Sequence, residues 1–175
     1  MAKKLRGVTV KEVLSWEPCE DDYPEEKIRK LFGRRKRLNA LDILKLKISF
    51  ADQLWAICRE NIVPDEIFHL WACWCAERAL KRERKAGREP DQRSWAAIEA
   101  KRRWVRGEIS DKDLTAARDA AWAAAGDAIW AARDAAWATA WDAASATAWD
   151  AAGAATWDAE EKAQRRKLIK MLEAL

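Results

Sequence analysis

One histidine, one tyrosine, three phenylalanines and four prolines are all that 175 residues supply. Each scarcity excludes something. The lone His69 has no Ser or Asp at a recognisable nucleophile spacing. Six glycines form neither a Gly-x-Ser-x-Gly elbow nor a phosphate-cradling loop. No catalytic residue is assigned, and the chain reads as a protein that is not an enzyme. Four cysteines, Cys19, Cys58, Cys73 and Cys75, fall in no disulfide-framework spacing. That pattern points to a reducing cytoplasm, that of a bacterial host cell. No uncharged apolar run reaches the roughly 18 residues a membrane span needs, and the basic start MAKKLRGVTVKEVL lacks the apolar stretch of a signal peptide. No membrane association is expected. Apolar and polar residues nowhere alternate long enough to defend a sheet. The expected fold class is all-α.

Tryptophan is abundant instead, with twelve copies, each pairing a large apolar ring with an N–H that wants an acceptor. Charge is unevenly spread. Residues 1–110 carry 25 Lys and Arg against 18 Asp and Glu, a balance of +7, whereas residues 111–175 carry 8 against 11, a balance of −3. Two units follow from this change of composition: a basic helical body over 1–109, and an Ala-rich Trp/Asp repeat with a basic tail over 110–175.

Within the body the helix signals are local. Thr9 with Glu12 reads as a capping box for a short helix through Trp16. An acidic, proline-bounded loop over 17–24 leads to a helix opened by Pro24 and closed at Gly33. A basic connector at 33–37 and a short amphipathic stretch, Leu38 to Leu46, follow. Ser49 with Asp52 starts a helix to about Glu60, and Pro64 opens one that Gly87 ends. The first half of that helix is apolar all round, which marks a central buried element with Ile67, Leu70, Trp71, Trp74 and Cys75 in the main core. Asp91 caps a helix ending at Gly107, and Ser110 caps the last helical region.

In the repeat, Trp recurs at 122, 130, 137, 141, 149 and 157, and Asp at 119, 127, 134, 142, 150 and 158. High Ala content without proline predicts helix over nearly all of 112–170. Eight residues of α-helix turn about 800°, so a spacing of eight drifts right-handed around the rod. Some 60 helical residues would span about 90 Å, too long to cover their rings on a compact body of this size. The repeat therefore folds back as a helical hairpin, bending near Gly126 or Gly153, or adopts right-handed coiled packing with a second chain. The six Trp are the candidate oligomer or partner interface, and a homo-oligomer is expected.

The sequence offers three candidate chemistries. His69 and Cys73 share a helix face, but zinc needs two more such ligands, so buried structural thiols are the preferred reading and no metal or other cofactor is expected. Glu77 and Glu99 could form a carboxylate pair; salt bridges to Arg78, Arg102 or Arg103 explain them more simply. Arg102, Arg103 and Arg106 with Trp95 and Trp104 could neutralise a phosphate and stack on a base. They are the candidate anion or nucleotide site, against the alternative of a solvated helix face.

Several motifs carry a resemblance. The stretch Leu38-Asn-Ala-Leu-Asp-Ile-Leu, then Asp52-Gln-Leu-Trp, then Phe68-His-Leu-Trp-Ala-Cys-Trp-Cys-Ala-Glu-Arg resembles the Imm5-like immunity-protein family and related Ala-rich conserved proteins of bacteria and phages. Ser94-Trp-Ala-Ala-Ile-Glu-Ala, Arg106-Gly-Glu-Ile-Ser-Asp and the Ala-rich tail extend it over about 38–170. The resemblance implies bacterial or phage conflict, with a toxin or host defence component as protein partner. It implies no catalytic residues. The expected function is a non-enzymatic binding protein, immunity-like or counter-defence, that acts by occupying its partner. The alternatives are a nucleotide or nucleic-acid binder, including one that sequesters a signalling nucleotide, and a structural homo-oligomer built on the repeat.

Overall fold

A computed structural model describes residues 5–59 and 62–124, the backbone from 146 and the side chains from 158 to the end of the chain. The described chain is mostly helical, in keeping with the expected all-α class. Helices α1 (Val10–Leu14), α2 (Glu25–Phe32), α3 (Ala40–Ile43) and α4 (Phe50–Ile57) are short. Three others are long: α5 (Asp65–Lys85), α6 (Gln92–Val105) and α8 (Ala146–Glu173). Between α6 and α8, residues 111–124 form α7. Strands β1 (Gly7–Val8) and β2 (Leu38–Asn39) add a two-residue antiparallel bridge that pairs Gly7 with Asn39 and Val8 with Leu38. Two residues per strand leave no alternation to read in the sequence. Glycine eases the approach there, since a Cβ at Gly7 would sit 3.1 Å from that of Arg37, whose Nη1 donates to the Gly7 carbonyl at 2.7 Å.

The capping chemistry works as its residue types dictate. Glu12 N–H donates to Thr9 Oγ1 at 3.2 Å, and Thr9 N–H donates back to Glu12 Oε2 at 2.7 Å. Asn39 and Asp42 make the same reciprocal pair at the start of α3. Helices α5 and α6 end alike, with Arg88 N–H donating to Glu83 O and Glu108 N–H to Arg103 O. Gly87 (φ 81°) and Gly107 (φ 72°) supply the left-handed residue these endings require.

The chain divides into two compact units, residues Met1–Phe68 with Glu161–Leu175, and His69–Glu160. The cuts fall inside α5 and α8, a different partition from the compositional one at 109/110. The first unit holds most of the buried apolar side chains: Val8, Phe32, Leu38, Ile57 and Ile62 among them, together with Leu168 and Leu172 from the chain's end. Arg165 lies 5.3 Å from the centroid of the Phe50 ring, so the basic tail packs on α4. In the second unit Cys73, Ile98, Leu114, Ala124 and Glu160 are buried.

Two expectations need correction. Helix α5 is not a buried central helix: Cys73 is its one buried residue, while Ile67, Leu70, Trp71, Trp74 and Cys75 are half-buried. A helix apolar on all sides still needs neighbours on all sides, and wide indole rings are seldom covered completely. Aliphatic side chains of the first unit close the tighter core. Gly153 is no bend either, because α8 runs through it without interruption. One glycine among helix-forming alanines costs only about 1 kcal/mol, too little to break a helix of this length. Gly126 lies outside the described residues, as does the repeat between 125 and 145.

Candidate functional site

Helix α6 and its C-cap, Arg106, carry the arginines and tryptophans that the sequence singles out, and each guanidinium has a carboxylate. Arg102 pairs closely with Glu77 and lies 3.9 Å from Glu99. Arg103 lies 3.5 Å from Glu108, and Arg106 reaches both Glu108 (2.5 Å) and Glu99 (3.3 Å). Hydrogen bonds from Lys81 and Arg102 hold the Glu77 carboxyl below the usual range. Glu77 and Glu99 are thus ion-pair partners of arginine. The rings are engaged too. Trp104 Nε1 donates to Asp111 at 2.6 Å, Lys101 Nζ sits 3.8 Å from the Trp104 centroid, and Arg84 covers Trp95 at 4.8 Å. A phosphate arriving here would have to displace carboxylates already in place.

His69 stands edge-on to Trp104, with centroids 5.2 Å apart. Among the described residues no three His, Cys, Asp or Glu side chains gather as a metal could use. Burial raises the Cys73 thiol, and burial, followed by the charge of Glu160, pushes Cys75 up to about 11. Both stay protonated at neutral pH, and a protonated thiol is a poor nucleophile. Arg78 instead serves Glu160, donating from Nε at 2.8 Å, with Arg82 at 3.2 Å on the same carboxylate. Of the repeat tryptophans, Trp122 is 77% exposed. Trp130, Trp137 and Trp141 lie outside the described residues, as do the side chains of Trp149 and Trp157.

The first unit contains a feature that sequence reasoning missed. A cavity of about 290 Å³ opens within it, walled by apolar side chains such as Ile28, Phe32, Leu38 and Ile43. Polar and aromatic groups line its remainder: Glu17, Asp22, Tyr23, Asp52, Trp55 and Arg59. Tyr23 Oη donates to Asp52 Oδ2 at 2.7 Å, and Ser49 Oγ donates to the same oxygen at 2.5 Å. Together they hold the Asp52 carboxyl below its ordinary value, so it is charged at neutral pH. Burial, then the hydrogen bond and charge of Asp52, push the Tyr23 phenol up to about 12. Trp55 stacks edge-on against Trp16 at 6.1 Å, with Arg59 at 4.6 Å from its ring centroid.

Glu17 adds a conformational peculiarity. It follows α1 at φ 51°, the one non-glycine with positive φ among the described residues. A left-handed backbone normally takes glycine, and a side chain there costs roughly 1–2 kcal/mol. Such strain marks positions worth testing for a role. The sequence signals for this site were faint: the single tyrosine closing the acidic loop, and Asp52 read as part of a cap. No spacing rule joins residues 29 apart.

No protein-family model, no curated protein and no solved structure matches the chain. No described helix is long and apolar enough to cross a membrane.

Proposed function

We propose that this chain is a non-enzymatic binding protein of bacterial or phage conflict, acting in the cytoplasm by occupying a partner, and that the cavity of the first unit holds a small, largely apolar group. The motifs that resemble the Imm5-like family, over about 38–170, support the biological setting. The observation that carries the binding reading is the cavity itself: apolar walls with a few polar groups among them, the usual composition of a ligand site. At about 290 Å³ it is roughly twice the ~150 Å³ apolar cavity that accepts benzene. A toxin or host defence component would present such a group as part of its surface.

The test is thermal unfolding with toluene. A ligand that binds only the folded state at ten times its Kd stabilises it by about 1.4 kcal/mol. Toluene should raise the melting temperature, and Ala56→Leu, which fills part of the cavity, should remove the effect. An unchanged melting temperature in the unaltered protein overturns the reading.

A nucleotide-sequestering role draws less support, because Arg102, Arg103 and Arg106 already face carboxylates. The homo-oligomer is favoured by one observation, the 77% exposure of Trp122 at the start of a tryptophan repeat.

A further inference from the structure

We infer that the cavity of the first unit selects ligands that join a hydrocarbon body to a cationic ammonium head, read by Asp52, Tyr23 and Glu17. The inference rests on the cavity being a binding site and adds which chemistry it takes. Three carboxylates, Glu17, Asp22 and Asp52, line the cavity against a single guanidinium, Arg59. Lys27, 4.3 Å from the Tyr23 ring centroid, leaves the local balance negative. An anionic head would meet repulsion there, and a neutral head would leave the carboxylates uncompensated.

Hydrogen-bond capacity points the same way. Asp52 Oδ2 is occupied by Tyr23 and Ser49, while Oδ1 accepts no hydrogen bond among the described residues. The Tyr23 oxygen has spent its proton on Asp52 and keeps its lone pairs. The two side chains therefore offer acceptors without a free donor. An ammonium supplies only donors, up to three, and bonds of this charge-assisted kind are the stronger ones. The apolar walls would take the tail. Glu17 fits this picture, since it places a carboxylate at a position where glycine would be easier for the backbone.

The experiment compares three molecules with one tail, n-octylamine, n-octanol and sodium octanoate, by isothermal titration calorimetry at neutral pH. The expected order is amine, alcohol, carboxylate, with the amine about tenfold tighter than the alcohol and its advantage shrinking as salt rises. Asp52→Asn should cut amine affinity toward that of octanol while leaving octanol unchanged. Glu17→Gly should also weaken the amine, yet melt at a higher temperature than the parent protein, so lost binding cannot be put down to unfolding. Octanol or octanoate binding as tightly as the amine overturns the inference and leaves the cavity reading standing, as does an amine preference that survives both substitutions. Failure of all three to bind overturns the cavity reading as well.

Discussion

The Tyr23 hydroxyl donates to Asp52 Oδ2 at 2.7 Å, tying the acidic loop before α2 to the first turn of α4. Ser49, the cap of α4, donates to that same oxygen, so one carboxylate serves a helix start and a cavity wall together. Local capping chemistry thereby fixes the position of a group available to a ligand.

A titration follows directly. Tyr23 is the single tyrosine, so its phenolate signal is unambiguous. Its folded pKa is raised from 10.0 to about 12. Its contribution to stability is therefore complete below pH 10 and lost as the pH climbs toward 12. Ultraviolet difference spectra should show ionisation near pH 12 in the folded protein and near 10 in denaturant. Asp52→Asn should bring the folded midpoint down. Asp52 works in the opposite sense: its pKa is lowered from 3.8, so its stabilisation is present above that value and fades as the pH falls below it. A folded midpoint already at 10 would break the Tyr23–Asp52 link.

Core substitutions should rank by burial rather than by ring size. Leu168, 0% exposed, lies in the tail that composition marked only as basic. Leu168→Ala is expected to cost about 2–5 kcal/mol, as is Ile57→Ala. Trp71→Ala should cost less than either, since Trp71 is half-buried. Denaturant melts that reversed the order would restore α5 as the centre of the core.

Cysteine labelling gives an independent reading. Cys19 is exposed and lines the cavity, whereas Cys73 is buried and Cys75 is pushed up to about 11. At mildly alkaline pH, iodoacetamide should modify Cys19 well before Cys73 or Cys75, as resolved by peptide mass spectrometry. A ligand in the cavity should slow Cys19 selectively. Equal rates at all three sites would contradict the described burial.

Legibility in the sequence followed the range of the interaction. Thr9 with Glu12, Ser49 and Asp91 announce helix starts because a cap acts over two or three residues. Gly87 and Gly107 announce ends for the same reason. The β1–β2 bridge joins positions some 30 residues apart through two residues per strand, below any periodic signal. The cavity is a relation among loop 17–24, α2, α3 and α4, and no one segment encodes it. The arginines of α6 and its cap were legible as charges and Glu77 as a salt-bridge partner, but Glu108, which serves Arg103 and Arg106, became apparent as a partner only from the fold.

The tryptophan repeat makes a prediction about association. A ring 77% exposed on α7 leaves apolar area that a second copy could cover, at about 25 cal/mol per Å². Sedimentation at micromolar concentration should show a species heavier than 20.0 kDa. Joint replacement of Trp122, Trp137, Trp141 and Trp149 by Ala should dissociate it. A clean monomer before any substitution would remove the repeat as a self-association surface.

Where a ligand goes on this chain is the most direct test of binding in the cavity. Two-dimensional ¹⁵N NMR during a toluene titration reports amides and indole N–H groups across the chain at once. Ligand in the cavity shifts the amides of Tyr23, Asp52 and Ala56 and the indole of Trp55, and leaves the indoles of Trp95, Trp104 and Trp122 unmoved. Shifts centred on Trp95 and Trp104, with Tyr23, Asp52 and Ala56 unchanged, would contradict it.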